Sequence, residues 1–195
     1  ASLLERHGVL TREAVRGEGI AGGYASVYPV LRAMEDAGRI RRGYFVTGLG
    51  GAQFALPGAV DRLRQYRDLA AERLGTGPSA VVLAATDPAN PFGVALPWPE
   101  VVGDVGGRPA RTAGSYVVLL DGRGSLFIER RVRGLVALRP FDGSWEADAV
   151  AAVERDLLVA GRYSRVVVEK VDVELQRYLK EADFIPTPKG WARYR

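Results

Sequence analysis

Two short strand-like runs around a glycine-rich tip, placed directly after a helical segment, constrain this chain most. Residues 39–47 are rich in Ile, Tyr, Phe and Val, residues 52–56 form a second apolar run, and three of the four residues 48–51 between them are glycine. Glycine adopts the positive φ angles that tight turns need, so the pattern predicts a β-hairpin. A hairpin that directly follows a third helix is the order of elements in a winged helix.

Three short helices are predicted before this hairpin. The first ends at Gly8, the second is capped by Thr11, and the third covers about residues 25–37, where apolar residues recur at helical spacing. A fourth helix is predicted to begin at Pro57. Short helices joined by glycine turns favour a helix-turn-helix arrangement.

A linker is predicted at Gly75-Thr76-Gly77-Pro78, which divides the chain into a winged-helix domain over residues 1–75 and a second domain over residues 76–195. The second domain contains strand-like runs and two helical patterns. The strands are expected at residues 80–85, 116–120, 126–131, 135–138 and 166–168, and the helices at residues 145–160 and 173–182. We therefore predict an α+β protein, with an N-terminal winged helix-turn-helix followed by a small β-rich mixed α/β domain.

Composition excludes several kinds of chemistry. The chain has 195 residues, no Cys and a single His, His7, which rules out a Cys/His zinc site, a thiol nucleophile and disulfides within it. We therefore expect no metal site. No stretch is apolar enough for a membrane span and no signal peptide is evident, so a cytoplasmic protein without membrane contact is expected.

Two nucleotide-binding motifs are also excluded. No Lys is followed by Ser or Thr, so the phosphate loop of the Walker type is absent. Residues 17–22 match the glycine spacing of the dinucleotide fingerprint, but they follow a helix rather than a buried strand. Met34 is the only Met, which suggests that the chain is a piece of a longer product.

Candidate DNA contacts lie on the third helix and on the wing. The helix residues expected to face outward into a major groove are Tyr24, Ser26, Tyr28 and Arg32. The wing-strand residues expected beside phosphates are Arg39, Arg41 and Arg42. Aromatic candidates for base stacking are Tyr24, Tyr28, Tyr44, Phe54 and Trp98.

Explanations of these features that involve no DNA contact stay open. The net charge is only +4, and all but three of the 27 basic residues are Arg, which a GC-rich genome also favours. Winged helices also serve as protein-packing modules, and most aromatic residues in a chain of this size are core.

Two residues are candidates for catalysis. Asp87 lies in a loop bounded by prolines, where a carboxylate held in place would serve as a general base or stabilise charge. Gln53 follows the glycine tip of the hairpin, where an amide would read a base edge or orient a water. The alternatives are an Asp that caps a turn and a solvated strand residue.

Several segments in order along the chain resemble one protein family. They are Gly38-Arg39-Ile40-Arg41-Arg42-Gly43-Tyr44-Phe45-Val46, Gly48-Leu49-Gly50-Gly51-Ala52-Gln53-Phe54-Ala55-Leu56-Pro57-Gly58, Thr86-Asp87-Pro88-Ala89-Asn90-Pro91-Phe92-Gly93, Leu96-Pro97-Trp98-Pro99, Phe127-Ile128-Glu129-Arg130 and Phe184-Ile185-Pro186-Thr187-Pro188-Lys189-Gly190. These runs resemble the C-terminal portion of the large helicase-related (Lhr) family of bacterial ATP-dependent DNA helicases.

The resemblance implies an accessory DNA-binding and assembly module from the C-terminal extension of a 3'-to-5' helicase with a role in DNA repair. The motor domains, which would bind ATP and Mg²⁺, lie upstream in that family, so no ATPase activity and no cofactor are expected of these residues. The implied partners are single-stranded or tailed DNA, the rest of the parent helicase chain, and a further copy in a homo-oligomer.

The family's extension further resembles winged-helix DNA glycosylases of the AlkZ type, which act through a Gln-x-Gln or Gln-x-Asp pair. Here Gln53-Phe54-Ala55 keeps the first Gln and has Ala at the second polar position. A glycosylase for uracil or a damaged base, with Asp87 as the next candidate, is therefore the alternative function. A purely oligomerising domain without DNA contact is the second alternative.

Overall fold

A computed structural model describes residues 1–72 and 79–195. The chain divides into two units, Ala1–Thr76 with Pro91–Pro97 (unit 1) and Gly77–Asn90 with Trp98–Arg195 (unit 2). The predicted linker and the domain boundary predicted after residue 75 lie outside the described residues. Among those that are described, no helix combines the length and the apolar character that crossing a membrane requires.

Unit 1 has the order of elements expected of a winged helix. Its elements are α1 (Ser2–His7), β1 (Val9–Leu10), α2 (Arg12–Gly17), α3 (Gly23–Asp36), β2 (Arg41–Gly43), β3 (Gln53–Ala55) and α4 (Pro57–Glu72). Thr11 caps α2 as predicted, because its Oγ1 accepts a hydrogen bond from the Ala14 backbone N–H at 3.1 Å. Buried side chains of all three first helices and of β3 form the core of this unit.

The wing differs from a simple two-stranded hairpin. Its sheet has three antiparallel strands in the order β1-β3-β2, and β1, which the sequence did not indicate, pairs Val9 with Ala55 and Leu10 with Phe54. The strands are also shorter than the runs at residues 39–47 and 52–56 suggested. Gly48 and Gly51 adopt φ angles of 80° and 82°, which extended backbone cannot have.

The segment Pro91–Pro97 belongs to unit 1, although the sequence placed it within the second domain. Phe92 is buried, and a Cβ added to Gly17 at the end of α2 would lie 2.5 Å from Cγ1 of Val94. The missing side chain of Gly17 therefore lets this segment pack against α2.

Unit 2 contains two sheets and two α-helices among its described residues. Its elements are β4 (Ala80–Ala84), β5 (Tyr116–Leu120), β6 (Arg123–Ile128), a 3₁₀ turn (Arg130–Val132), β7 (Gly134–Ala137), α5 (Glu146–Val153), a π-helical turn (Glu154–Val159), β8 (Arg165–Val168), β9 (Lys170–Val171), α6 (Val173–Glu181), β10 (Ile185–Thr187) and β11 (Gly190–Tyr194). The larger sheet has the order β4-β5-β6-β7-β9, in which only the β7–β9 pair is parallel. The smaller sheet has the order β10-β11-β8.

The core of unit 2 lies between the larger sheet and the helices. Helix α5 packs against β4, β5 and α6, and Trp145 at its start is buried beneath Phe141. The helix predicted over residues 145–160 is interrupted, since its last part forms the π-helical turn. The α+β class is confirmed, with more strands than the sequence indicated, because β9 to β11 were not predicted.

Candidate nucleic-acid interface

The path of the wing is fixed by Gln53, which is fully buried on β3. Its Oε1 accepts hydrogen bonds from the backbone N–H groups of Phe45 and Val46 at 2.9 and 2.8 Å. Its Nε2 donates to the carbonyls of Val46 and Leu49 at 2.9 and 3.3 Å. Two bonds accepted and two donated fill the capacity of an amide, so the structure gives Gln53 a supporting role in the wing instead of a free edge for a base or a water.

The three wing arginines are exposed, as expected of phosphate contacts. Arg42 is partly engaged, because its Nε lies 3.2 Å from Oε1 of Glu35 on α3. Within residues 1–72 and 79–195, the side chains of Arg39 and Arg41 form neither an ion pair nor a hydrogen bond. These two guanidinium groups therefore remain available to phosphates or base edges.

Tyr44 is the most exposed aromatic side chain of the wing, with 88% of its surface accessible. It follows β2 directly, three residues after Arg41. Of the other candidates for base stacking, Phe54 is fully buried and Tyr24, Tyr28 and Trp98 are partly buried. The sequence named Tyr44 among five stacking candidates but did not rank it above the others, because residues 39–47 were predicted as one strand, whereas β2 ends at Gly43.

Tyr24 and Tyr28 do not face outward as expected. The Tyr24 hydroxyl donates to the Ala52 carbonyl at 2.5 Å, which joins α3 to the wing, and its ring lies 5.9 Å from that of Tyr28. The Tyr28 ring in turn packs edge-on against Phe54, also at 5.9 Å. Burial raises the pKa of Tyr24. Both rings are therefore part of the packing of unit 1.

The outward face of α3 offers few groups that could read bases. Ser26 is exposed, but its hydroxyl donates within the chain to the carbonyls of Ala21 and Gly23 at 2.9 and 2.8 Å. Arg32 is exposed, and Val30 beside it has 60% of its surface accessible. The other exposed residues of α3 are Ala25, Pro29, Ala33 and Asp36, whose carboxylate would repel phosphates. Such a face is poor in the hydrogen-bonding side chains that direct readout of the major groove needs.

The Asp87 loop lies in unit 2 and is tightly braced. Oδ1 of Asp87 accepts a hydrogen bond from the Ala89 backbone N–H at 2.8 Å, as in an Asx turn. Arg111 donates to the carbonyls of Thr86, Asp87 and Asn90 at 3.1, 3.0 and 2.8 Å. Oδ2 of Asp87 has no hydrogen bond within the described part of the chain, so one carboxylate oxygen is held in place and available.

His7 takes part in a charge cluster instead of a catalytic pair. Its Nε2 lies 2.8 Å from Glu18, which also binds Arg6 at 2.5 Å. The hydrogen bond with His7 first, and then that with Arg6, hold the pKa of Glu18 below its usual value. Across residues 1–72 and 79–195, no three His, Asp or Glu side chains gather closely enough to hold a metal ion.

Comparison with known proteins places these features in a family. Residues 1–74 match the winged-helix domain of large helicase-related protein. Across 96% of its length, the chain is 51% identical to a Mycolicibacterium smegmatis protein named Lhr helicase/probable uracil glycosylase. The chain belongs to the Lhr family. It is also 35% identical, across 97% of its length, to the Escherichia coli protein named Lhr helicase/uracil glycosylase.

The match to the Lhr family covers both units but only part of each relative. The chain spans 13% of the length of the M. smegmatis protein and 12% of that of the E. coli protein, and it corresponds to a C-terminal portion of Lhr. The winged-helix match includes the wing with Gln53 and Tyr44, whereas Asp87 lies beyond residues 1–74. The N-terminal winged helix is thereby confirmed.

Proposed function

We propose that this chain is an accessory DNA-binding module of an Lhr-family helicase, and that unit 1 contacts single-stranded or tailed DNA through its wing. The observation that carries the proposal is the exposed Tyr44 beside the unpaired Arg39 and Arg41. An exposed ring stacks on any base, and guanidinium groups bind the backbone phosphates. The scarcity of free side chains for base readout on α3, where the Ser26 hydroxyl is engaged and Asp36 is acidic, favours binding that does not depend on sequence.

The test separates stacking from charge in the full chain. Fluorescence anisotropy with a labelled oligothymidylate, at several salt concentrations, gives the affinity and its salt slope. We expect Arg39→Gln and Arg41→Gln each to weaken binding and to reduce the salt slope by about 0.7, as for one lost contact to a single strand. Tyr44→Ala should weaken binding by about 5-fold or more with an unchanged slope, since stacking contributes about 1–3 kcal/mol per base.

Matched controls lie on α4 of the same unit, where Arg62 and Tyr66 are exposed. Arg62→Gln and Tyr66→Ala should leave affinity and salt slope unchanged. The wing is not the DNA contact if the three wing variants bind as the control variants do.

Uracil excision is a second candidate, favoured by the names of the two relatives and by the braced Asp87. In such a reaction the free Oδ2 of Asp87 would activate a water or stabilise positive charge on the sugar of a flipped nucleotide. Asp87→Asn keeps an acceptor for the Ala89 N–H and removes the carboxylate. Incubation with uracil-containing single-stranded DNA, followed by alkaline cleavage, should give strand breaks with the native chain and none with Asp87→Asn.

We further propose that this chain takes part in forming a homo-oligomer, and that the helicase to which it belongs acts in DNA repair. The homo-oligomer is supported by Val30, which has 60% of its surface accessible between the exposed Pro29 and Ala33 on α3 and would gain from being covered by a second copy. Sedimentation equilibrium of the chain should show self-association that Val30→Lys weakens. A monomer at every concentration would leave DNA binding as the function and exclude a homo-oligomer of this chain.

A further inference from the structure

An open cleft of about 380 Å³ lies in unit 2, far along the chain from the wing. It is bordered by Arg108 and Thr112 in the loop before β5, by the β6–β7 turn, and by the junction of β8 and β9. Its volume is at the lower end of the range of small-ligand sites and is large enough for one nucleotide.

Positive charge exceeds negative charge in this cleft. Both of its carboxylates are neutralised by cations, since Arg133 binds Glu169 at 2.6 Å and Lys170 lies 3.9 Å from Glu129. The Arg133 guanidinium holds the pKa of Glu169 below its usual value, and so do the charges of Lys189 and Lys170. The two acidic residues therefore do not oppose the binding of an anion by the remaining cations.

Arg108 and Arg130 are those remaining cations. Both are exposed, and neither side chain forms an ion pair or a hydrogen bond with any residue that the structure describes. Two free guanidinium groups that line one cleft suit a tetrahedral anion, because each can donate two parallel hydrogen bonds to its oxygens.

Neutral donors and an aromatic wall complete the lining. Ser115 and Thr112 contribute hydroxyl groups, although Ser115 is only 3% exposed. Phe127 forms an apolar wall and is itself packed edge-on against Trp98, with ring centres 5.4 Å apart. Hydroxyls beside arginines, with an aromatic side chain close by, are what a phosphate ester of a nucleoside requires.

The β6–β7 turn that presents Arg130 and Arg133 has an unfavourable backbone conformation. Arg131 and Val132 have φ angles of 58° and 59°, values that cost a β-branched residue such as Val free energy. The turn is held by the Arg133 carbonyl, which accepts from the backbone N–H groups of Glu169 and Lys170 at 2.8 and 3.0 Å. The backbone positions from which the two arginine side chains extend are thus fixed before any ligand arrives.

We propose that this cleft binds the phosphate group of a nucleotide, with Arg108 and Arg130 as its principal ligands. The inference goes beyond the wing contact, because it assigns an anion site to unit 2 and does not depend on Tyr44 or Arg41. The same phosphate chemistry is offered by a free or terminal nucleotide and by an internal phosphodiester of a DNA strand.

Titrations of the full chain with three probes distinguish these sources. The probes are thymidine monophosphate, a short oligothymidylate with a 5'-phosphate, and the same oligothymidylate without the 5'-phosphate. Binding of each probe is measured by NMR, from the chemical-shift changes of backbone amides and of arginine Nε–H groups. We expect thymidine monophosphate and the 5'-phosphorylated strand to shift signals of Arg108, Arg130 and Ser115, and the third probe decides between terminal and internal phosphates. Arg108→Gln and Arg130→Gln should each weaken binding about 5-fold or more, with a melting temperature like that of the native chain.

Arg123→Gln is the matched control, since Arg123 is exposed at the other end of β6 and does not line the cleft. If only the 5'-phosphorylated strand and the mononucleotide depend on Arg130, the site takes terminal phosphates. If the unphosphorylated strand depends on Arg130 as well, it takes internal phosphodiesters. No shift at the cleft with any probe, or equal effects of Arg123→Gln and Arg130→Gln, would overturn the proposal.

The wing variants keep this result separate from the proposed function. Loss of strand binding in Tyr44→Ala and Arg41→Gln, with no effect of Arg130→Gln on any of the three probes, would leave the wing as the DNA contact and reject the cleft. The reverse pattern would reject the wing and leave the phosphate site in unit 2.

Discussion

Gln53 and Val46 bond to each other twice, with the Val46 N–H donating to Oε1 at 2.8 Å and Nε2 of Gln53 donating to the Val46 carbonyl at 2.9 Å. The side-chain amide thereby takes the place of a backbone ladder pair in a segment that forms no strand. Because Tyr44 lies next to this segment, the geometry of the exposed wing depends on a residue that is itself fully buried.

Gln53→Ala should destabilise unit 1. The substitution removes four hydrogen bonds and leaves backbone groups of residues 45, 46 and 49 without their partner. Net contributions of about 0.5–1.5 kcal/mol per bond, partly recovered through water, give an expected loss of about 2–3 kcal/mol. Urea denaturation followed by NMR signals of unit 1 measures it. Gln65→Ala, at an exposed position on α4, should change stability by less than about 0.5 kcal/mol.

Tyr24→Phe should reduce stability without affecting DNA affinity at native conditions. The change removes the hydroxyl that bonds the Ala52 carbonyl but keeps the ring packed against Tyr28. A loss of about 1 kcal/mol is expected from one neutral hydrogen bond. The check is chemical denaturation beside a DNA titration, with Tyr44→Phe as the exposed counterpart. A large loss of DNA affinity in Tyr24→Phe, with unchanged stability, would show that the Tyr24 hydroxyl contacts DNA.

Elements specified by neighbouring residues could be predicted from the sequence. Thr11 caps α2, and the strand expected at residues 116–120 has those bounds in the structure. Elements that depend on partners distant in the sequence could not be predicted from it. Strand β1 has two residues and exists through its pairing with β3, and β10 carries Pro186 at a sheet edge, where a missing N–H is tolerated.

The same distinction applies to the candidate site. Exposed arginines on the wing follow from residue type, because an arginine side chain is almost never fully buried unless it is paired. The inward positions of Tyr24 and Gln53 follow from contacts with backbone at Ala52 and at Phe45 and Val46, which no periodicity reveals. Exposure of Tyr44 likewise depends on where β2 ends.

Glu146 should make the stability of unit 2 depend on pH in the acid range. Burial acts to raise its pKa, but hydrogen bonds from the backbone N–H groups of Gly143, Trp145 and Asp142 prevail and lower the pKa. A carboxyl with a lowered pKa stabilises the fold above the ordinary value of 4.5, and this stabilisation is lost as the pH falls through the lowered value.

Denaturation of the native chain and of Glu146→Gln from pH 7 to pH 3 tests this expectation. The variant should be less stable by about 1–3 kcal/mol at pH 7, because its amide nitrogen meets backbone donors. The difference should shrink as the pH falls from 4.5 through the lowered pKa of Glu146, because the unfolded state takes up its proton first. Glu100→Gln, at an exposed position of the same unit, serves as control. A difference that is constant with pH would show that Glu146 acts through packing alone.

Gly17→Ala should destabilise unit 1, although Ala is the better helix former. Its new Cβ would lie 2.5 Å from Cγ1 of Val94, a stiff branched side chain, so the segment Pro91–Pro97 must shift. Overpacking of this kind costs about 1–3 kcal/mol, which outweighs the gain of up to about 1 kcal/mol in helix propensity. Gly58→Ala in α4, where nothing lies within 4 Å of the new Cβ, should instead be neutral or stabilising. In a double-mutant cycle measured by thermal denaturation, Val94→Ala should relieve the loss caused by Gly17→Ala, and strict additivity of the two changes would argue against this contact.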